Sequence, residues 1–322
     1  MRRFSDFTQV FGLEGGSALT IGNFDGVHLG HRALLNRVRS YAAAEGLSAA
    51  VLTFDPHPVR ILAPALAPLA ICSTPEKLRL LEEAGVDAVL VQAFDLDFAR
   101  LDPETFIQRV LVDALHARVV VVGYDFTFGA RRAGTTEVLR SAGAHHGFRV
   151  EVVSAQAVGT GLVASSTKVR EFVLEGRVEG AALVLGRPFS LMGTVRVGAQ
   201  RGRTLGFPTA NLAVDGELQP HTGVYAGWLD WGVGPRPAVI NVGHNPTFRE
   251  AAGLPGVEVH VMGETDLDLY GRKCRLFFAE RLREERRFDG VQALVAQITR
   301  DRNTAATLLA ARTAPAAAPL PA

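Results

Sequence analysis

The stretch LTIGNFDGVHLGHRALL, residues 19–35, indicates the fold of the whole N-terminal half. It opens with an apolar run, turns through the letters GNFDG, and returns to apolar positions at Leu34 and Leu35, with Val38 following three residues after the stretch. That last spacing is typical of one face of a helix. A strand, a tight turn and a helix in this order form the repeating unit of a parallel α/β sheet. We therefore predict a strand, a turn and a helix that begins near His31.

Strand and helix patterns alternate through the rest of the first half. The run VVVVG, residues 119–123, is apolar at almost every position, which is typical of a strand covered on both faces of a parallel sheet. Helix starts are marked by Thr74 and Asp102, each a capping residue placed before a proline. The N-terminal half is therefore predicted to be an α/β doubly wound domain.

The pattern of the sequence changes near Gly186. From Pro188 onward short segments alternate polar and apolar residues between frequent glycines and prolines, which predicts a small antiparallel barrel or sandwich. Residues 290–311 predict one helix that closes it. We place the domains at residues 1–185 and 186–310. The Ala/Pro-rich tail, residues 311–322, is predicted to be disordered.

Charge and cysteine content restrict the partners and the compartment. The 34 Lys and Arg residues nearly balance the 33 Asp and Glu residues, so no nucleic-acid partner is expected for the protein as a whole, while a local phosphate pocket stays open. Two distant cysteines fit neither a disulfide framework nor a zinc site, and they favour a reducing cytoplasm. No signal peptide and no run of about 18 apolar residues is present, so no membrane partner is expected. The sequence neither requires nor excludes a homo-oligomer.

The turn after the first strand is a candidate phosphate site. Ligands of open parallel sheets bind at the carboxyl ends of the strands, beside helix N-termini. Gly22 and Gly26 permit a tight turn and a close approach of the backbone, and Gly30 lets the chain enter the helix. His28 and His31, three residues apart at the helix start, can donate to the same phosphoryl oxygens. Zinc is the competing interpretation, but a third ligand with suitable spacing is missing from the sequence.

A second helix start carries hydroxyls and cations. In GLVASSTKVREFV, residues 161–173, a capping Ser-Ser-Thr precedes Lys168 and Arg170, a set that would grip polyphosphate oxygens. A simple N-cap is the alternative. Two loops that leave apolar strands, TFDPHPVR at residues 53–60 and GYDFTFGARRAG at residues 123–134, carry phenylalanines that could flank a planar ring. These are Phe54, Phe126 and Phe128, for which ordinary packing is the alternative.

The β-rich half contains a second candidate site. In RGRTLGFPTANLAV, residues 201–214, Arg201 and Arg203 accompany two glycines in a loop suited to close over phosphates. Thr209 and Asn211, two apart on an extended segment, could both address one Mg²⁺ ion.

A carboxylate follows further along the chain. Glu258 and His260 share one face of the predicted strand VEVHVM, residues 257–262, and INVGHNPTF, residues 240–248, supplies another glycine- and proline-bearing loop. A strand glutamate usually faces solvent. If Glu258 points into the mouth of a barrel beside a metal, it can take the proton from an attacking hydroxyl.

The order of these motifs resembles one known family. GNFDGVHLGH, TFDPHP, GYDFTFG and SSTKVR are similar to the adenylyltransferase half of the bacterial bifunctional riboflavin kinase/FAD synthetases. GRTLGFPTANL, TGVYAG, NVGHNPTF, VEVH and DLYGRKCRLFF are similar to the riboflavin kinase half of the same family. The resemblance covers about residues 17–300. It implies a Rossmann-like nucleotidyltransferase domain followed by a six-stranded antiparallel β-barrel with a closing helix.

The resemblance also implies a reaction at each site. The barrel would phosphorylate riboflavin to FMN with ATP, and the N-terminal domain would transfer AMP from a second ATP to FMN, giving FAD and pyrophosphate. Both steps would use Mg²⁺. In the barrel, Thr209 and Asn211 would bind Mg²⁺–ATP, Glu258 would be the base for the riboflavin 5′-hydroxyl, and Gly206 and Pro208 would shape a flap.

For the N-terminal domain the resemblance implies phosphate, nucleotide and flavin contacts. His28 and His31 would stabilise the α-phosphate of ATP, with the Gly22 turn and Asn23 against the phosphates and Asp125 near the nucleotide. Phe54 and His57 would line the flavin side. The helix start would hold the triphosphate and the leaving pyrophosphate, through Ser165, Ser166, Thr167 and Arg170.

Two other functions fit parts of the sequence. A tRNA-charging enzyme would share the H-x-G-H motif, but the near-neutral charge and the missing basic helical anticodon module count against it. A flavin-binding sensor would share the pockets without turnover, but all the groups that the chemistry requires are present. Incubation with riboflavin and Mg²⁺–ATP, followed by chromatography of the flavins, separates the three.

Overall fold

Two separate β-sheets organise the chain. The computed structural model describes residues 1–159, 161–197, 206–214, 218–243, 255–264 and 267–320. Contacts divide the chain into one unit made of Met1–Pro68 and Thr74–Ala164 and a second made of Leu69–Ser73 and Ser165–Ala322. The division after Ala164 comes earlier in the chain than the boundary at residues 185/186 that the sequence predicts. The reason is that two helices before Gly186 pack with the second unit.

The first unit is built on six parallel strands. They are β1 Arg2–Phe4, β2 Ser17–Ile21, β3 Ser48–Asp55, β4 Ala88–Ala93, β5 Ala117–Gly123 and β6 Arg149–Val153. Their order in the sheet is β1–β4–β3–β2–β5–β6, with every neighbouring pair parallel. The chain moves from β2 to one side through β3 and β4 and then crosses to β5 on the other side. The doubly wound prediction is confirmed, and β2 lies at the point where the strand order reverses.

Helices connect these strands. They are α1 Leu29–Glu45, α2 Pro58–Leu62, α3 Thr74–Glu83, α4 Leu96–Ala99, α5 Pro103–Phe106, a π-helical continuation Ile107–Ala114, and α6 Thr136–His146. A short hairpin, β7 Ala157–Val158 and β8 Leu162–Val163, follows the sheet. Asp102 caps α5 as predicted, with its carboxylate accepting from Thr105 N at 2.9 Å. Thr74 instead lies within α3, and its hydroxyl donates to Asp55 Oδ2 at 2.7 Å.

The apolar runs of the sequence form the centre of this sheet. All five residues of β2 are buried, and β5 buries four consecutive valines, because helices and loops cover both faces. One face packs Leu19 and Ile21 against the helix that includes Leu111, and the other packs Ala18 against Val38 of α1. The core therefore fixes where β2 ends, and with it the turn at Gly22.

The second unit is a closed barrel, as the resemblance implied. Its strands are β9 Phe189–Arg196, β10 Ala210–Val214, β11 Gly223–Asp230, β12 Arg236–Gly243, β13 Gly256–Val261 and β14 Lys273–Arg283. They close in the order β10–β13–β12–β11–β14–β9, and all neighbours are antiparallel. Its helices are α7 Ser166–Leu174, α8 Val178–Leu185 and α9 Val291–Ala310.

The outer face of the barrel is partly covered by α9. Val224, Trp228 and Val239 pack there against Ala305 and Leu309 of this helix. The prediction of a closing helix is confirmed, with ends one residue inside the predicted range at each side.

The C-terminal tail contacts the barrel. The guanidinium of Arg275, which is 1% exposed, donates to the carbonyl oxygens of Ala318 at 3.3 Å and Pro319 at 3.1 Å. Residues 318 and 319 of the Ala/Pro-rich tail thus supply acceptors to a buried guanidinium, which needs such partners.

Candidate functional site

The two histidines of the opening motif stack on each other at the start of α1. Their ring centroids are 3.6 Å apart with an interplanar angle of 22°. The helix begins at Leu29, two residues before the predicted start, because His28 is its N-cap: His28 Nδ1 accepts from His31 N at 3.3 Å. That bond places the proton of a neutral His28 on Nε2, where it can be donated to a ligand oxygen. The helix start adds the positive end of its dipole.

The backbone around the His28 ring leaves little space. A Cβ atom on Gly30 would lie 3.0 Å from His28 Cε1 and 3.1 Å from Ala164 O. Upstream, Val27 has a φ of 40° and is fully buried, an uncommon conformation for a β-branched residue. A side chain at the glycine of H-x-G-H would thus press on the His28 ring and on a backbone carbonyl, and the turn holds its shape against local strain.

Asn23 and His57 form a second contact at the same sheet edge. The side-chain amide of Asn23 hydrogen-bonds to the ring of His57, with 3.0 Å between Nδ2 and Nε2. His57 is the N-cap of α2, and its Nδ1 accepts from Val59 N at 3.3 Å. The loops after β2 and β3 are therefore joined by side chains that the sequence predicted to contact phosphate and flavin, respectively.

The three candidate aromatic residues lie in a continuous series of phenylalanine contacts. Phe126 and Phe128 stack with centroids 5.5 Å apart, and Phe54 contacts Phe94 edge-on at 5.5 Å. Phe128 is 7% exposed and belongs to the core, whereas Phe54 and Phe126 are partly exposed beside it. Asp125 is exposed in the turn after β5. Packing therefore accounts for Phe128, while Phe54 and Phe126 keep surface available to a ligand.

The Ser-Ser-Thr motif begins α7, in the second unit. Ser165 is its N-cap, with Oγ accepting from Lys168 N at 3.2 Å. Ser166 and Thr167 form the first turn. Lys168 is paired with Glu171, and Arg170 Nε donates to Leu69 O at 2.6 Å. The cap that the sequence predicted is present, and both cations also have partners within the protein.

The kinase candidates lie in one row across the barrel. Asn211 on β10 is directly opposite Glu258 on β13, and Glu258 is opposite Asn241 on β12. Directly opposite residues of antiparallel strands project from the same face with Cβ atoms about 5 Å apart. The row continues to Val224 at one end and Arg196 at the other. The structure thus brings Asn211 and Glu258 together.

This row lies on the outer face of the barrel. Val224 belongs to the cluster that α9 covers, and Val259, on the opposite face from Glu258, is buried inside. Glu258 is half-buried. A base role is predicted for Glu258 if it points into the mouth of the barrel beside a metal, and a solvent-facing position is the usual alternative. The alternation of β13 places Glu258 on the outer face, beside Asn211.

Residues 206–209 are attached to β13 through His260. His260 Nδ1 lies 2.9 Å from Pro208 O, and its ring meets the buried ring of Phe207 edge-on at 5.6 Å. Gly206, exposed with a φ of 81°, begins this segment. Thr209 follows Pro208 and precedes β10, so its side chain shares the outer face with Asn211.

Comparison with known proteins assigns both halves. Residues 12–167 match a family model for FAD synthetase, and residues 185–309 match one for riboflavin kinase. A bifunctional riboflavin kinase/FMN adenylyltransferase of Escherichia coli (strain K12) is 41% identical over 292 residues, which cover 90% of this chain and 92% of the relative. The chain belongs to the bifunctional riboflavin kinase/FMN adenylyltransferase family. The enzyme class predicted from the sequence is confirmed: ATP, riboflavin and FMN are the substrates and FAD is the product.

Other relatives agree over the same length. The bifunctional riboflavin kinase/FMN adenylyltransferase of Listeria monocytogenes is 35% identical over 286 residues, covering 88% of this chain and 89% of the relative. A solved structure titled as a macrolide-efflux protein from Streptococcus pneumoniae aligns with a TM-score of 0.82 and 29% identity, covering 94% of this chain and 98% of that one. The two-unit architecture is therefore shared along nearly the whole chain.

Oxygen donors that could hold a metal lie on the outer face of the barrel. Within the described ranges, no three His, Cys, Asp or Glu side chains stand together as a metal cluster, and no helix is long and apolar enough to cross a membrane. Thr209, Asn211 and Glu258 present a hydroxyl, an amide and a carboxylate on one face. This set fits Mg²⁺, which is bound by few protein oxygens together with substrate phosphates.

Part of the predicted kinase site lies outside the described residues. This holds for Arg201, Gly202 and Arg203, and for residues 244–248 of INVGHNPTF. Two further residues near these sites were not predicted from the sequence. Asn241 is opposite Glu258, and Lys77 lies beneath the Asn23 turn. In PEKLRLLEEAG, residues 75–85, Lys77 precedes the buried Leu80 and Leu81 by three and four positions, a spacing that places a lysine on an apolar face.

Proposed function

We propose that FMN adenylylation takes place at the carboxyl edge of the parallel sheet, at the start of α1. The observation that supports this most directly is the stacked pair of His28 and His31 at a helix N-terminus. An oxygen of the FMN phosphate attacks the α-phosphorus of ATP, the bond to the β-phosphate oxygen breaks, and pyrophosphate leaves. The imidazoles stabilise the negative charge that builds on the α-phosphoryl oxygens, so no covalent intermediate with the protein is required.

Other residues are assigned to substrate binding. The Gly22 turn and Asn23 lie along the phosphates, and Asp125 contacts the nucleotide. Polyphosphate binding is also assigned to the α7 start, with Ser165, Ser166, Thr167 and Arg170. The flavin is bound by Phe54, His57 and Phe126, with Phe128 as the packing support beneath Phe126. The partly exposed rings of Phe54 and Phe126 support this division of roles.

Phosphorylation of riboflavin is assigned to the outer face of the barrel. Glu258 accepts the proton of the riboflavin 5′-hydroxyl as that oxygen attacks the γ-phosphorus of ATP, and ADP leaves. Thr209 and Asn211 would hold Mg²⁺, which when bound neutralises phosphate charge and orients its oxygens. Gly206 and Pro208 shape the flap that precedes them. The register that puts Asn211 opposite Glu258 supports this arrangement.

Three coarser assignments accompany the residue roles. We place the boundary between the two catalytic parts at residues 185/186, near the start of the riboflavin kinase match at residue 185. We place the enzyme in the cytoplasm, in accord with Cys72 and Cys274 being thiols that form no disulfide. The near-neutral net charge of +1 supports action on small molecules without a nucleic-acid or membrane partner.

Two substitutions in the full-length chain test the assignment. His28→Ala should abolish formation of FAD from FMN and ATP while leaving formation of FMN from riboflavin within about twofold, and Glu258→Gln should do the reverse. The exposed His145→Ala and Glu175→Gln are the matched controls and should retain both activities. The flavins are separated by chromatography. If either site variant lost both activities while still folded, separate sites would be excluded.

A further inference from the structure

Lys77 is a buried cation directly beneath the adenylyltransferase turn. It lies on α3 and is 7% exposed. Its ammonium group donates to Asn23 O at 3.4 Å, Thr53 Oγ1 at 3.2 Å and Phe54 O at 3.1 Å. The hydroxyl of Thr53 in turn donates to Asn23 O at 3.0 Å. Burying a lysine costs free energy unless acceptors stabilise its charge. The three oxygens that accept from Lys77 therefore account for its buried position.

These bonds join the carboxyl ends of two neighbouring strands. Asn23 lies just beyond β2, whereas Thr53 and Phe54 lie at the end of β3, and the two strands pair in parallel. A carbonyl oxygen at or beyond the end of a strand needs a hydrogen-bond donor, and Lys77 supplies one to both Asn23 O and Phe54 O. One side chain from α3 therefore fixes the main chain of two proposed substrate contacts.

The same network extends to His57. The Asn23 side chain hydrogen-bonds to the His57 ring, so a displacement of the Asn23 backbone would also move the contact at the start of α2. Lys77 contacts the Asn23 turn from the side of α3, so the opposite side of the turn stays available to a phosphate. A positive charge in a buried setting also acts on a bound polyanion with little screening by water or salt.

We propose that Lys77 is a positioning residue for FMN adenylylation. It locks the Asn23 turn to the end of β3 and adds a fixed positive charge beneath the phosphates of ATP. Its effect is on turnover as well as on ATP binding, because a turn that is displaced misaligns the α-phosphate. This inference rests on the assignment of adenylyl transfer to the His28 site.

The first test substitutes Lys77 in the full-length enzyme. Lys77→Met should lower kcat for FAD formation by about 100-fold, the cost expected for a misplacement of about 1 Å near the reacting atoms, and should raise KM for ATP. Formation of FMN by the barrel should stay within about twofold and reports that the chain is intact. Lys77→Arg, which retains the charge and the donors, should recover at least about tenfold of the loss.

Two further variants keep the test decisive. Thr53→Val removes the hydroxyl between Lys77 and Asn23 and should lower kcat for FAD formation in the same direction without removing a charge. Arg79→Met, on the same helix, breaks ion pairs with Glu76 and Glu83 and should lower the unfolding temperature while FAD formation stays normal. It is therefore the control for damage to α3.

The outcomes separate clearly. The inference is overturned if Lys77→Met turns over normally, or if it loses no more FAD formation than Arg79→Met at a matched fall in unfolding temperature. It is also overturned if Lys77→Arg is as impaired as Lys77→Met. If instead His28→Ala still makes FAD, it is the proposed adenylyltransferase site that fails, whatever the result at position 77.

Discussion

At the residue scale, burial decides how Tyr225 responds to pH. Its ring is fully buried in the barrel, and its hydroxyl donates to the carbonyl oxygen of His221. Loss of solvent on burial raises the pKa of the Tyr225 phenol to about 12 from an ordinary value of 10.0, against an opposing effect of the nearby Arg281 charge. Arg281 donates to Thr222 O as well, so both side chains hold the segment before β11.

This shift predicts a loss of barrel stability at high pH. Because the folded-state pKa is raised, the unfolded chain releases the Tyr225 proton first, and stability should fall between pH 10 and about 12 and be unaffected by this group below pH 10. Thermal unfolding from pH 8.5 to 11.5 checks the expectation, a range that spans the ordinary tyrosine pKa of about 10. Tyr225→Phe should show a shallower decline than the wild type. If the unfolding temperatures of the wild type and Tyr225→Phe fell in parallel with pH, this prediction would be refuted.

Single residues also show what the sequence could supply. The pair His28 and His31 could be proposed from H-x-G-H directly after a strand and a glycine-rich turn, together with the resemblance of four motifs to one family. Their stacking and the capping bond of His28 depend on backbone angles that the letters do not encode. Lys77 was missed because its partners are carbonyl oxygens of distant strands, which any sequence could provide.

At the scale of elements, His260 couples strand β13 to the segment before β10. His260 Nδ1 bonds to Pro208 O, and the His260 ring packs on the Phe207 ring. Arg302 of α9 lies over the Phe207 ring, with its guanidinium carbon 5.8 Å from the ring centroid. These contacts hold the residues that lead into Thr209. His260 therefore acts on Thr209, a proposed metal ligand, through the backbone of Pro208.

His260→Phe should therefore impair the riboflavin kinase reaction selectively. The aromatic contact with Phe207 is retained while the bond to Pro208 O is lost, so kcat/KM for Mg²⁺–ATP should fall by about tenfold, the range seen when a supporting residue of a metal site is removed. FAD formation from supplied FMN serves as the internal reference. An equal fall in both reactions would point to general unfolding and count against a local role.

Elements were predictable to different degrees. Strands with a continuous apolar run, such as the four valines of β5, could be assigned because a sheet covered on both faces accommodates them. The alternating strands of the second half left barrel and sandwich open, since both bury one face. The outward direction of Glu258 could not be foreseen, because it depends on the closed register that pairs β10 with β13.

At the scale of the whole molecule, two catalytic units share one chain. The two family models match successive parts of the chain, and each contact-defined unit has its own cluster of buried apolar residues. The proposed catalytic residues His28 and Glu258 belong to different units. Each reaction should therefore continue when the proposed catalytic residue of the other reaction is substituted.

A mixture of two inactive chains tests this independence. Neither His28→Ala nor Glu258→Gln alone should convert riboflavin to FAD, but an equimolar mixture should do so after a lag, because FMN is a small product that can leave one chain and bind another. Chromatography of the flavins over time follows FMN and then FAD. A mixture that accumulates FMN without FAD, although Glu258→Gln alone uses supplied FMN, would contradict free exchange.

The crowded glycine of H-x-G-H has a consequence for interpreting related sequences. A methyl group on Gly30 would press on the His28 ring and on the Ala164 carbonyl, so alanine here would disturb the histidine pair without altering either histidine. A homologue that keeps both histidines but carries a larger residue than glycine at this position is expected to form FAD more slowly while its riboflavin kinase reaction is unaffected. Assay of Gly30→Ala would decide the matter: sustained FAD release would mean that the histidines alone are a sufficient diagnostic.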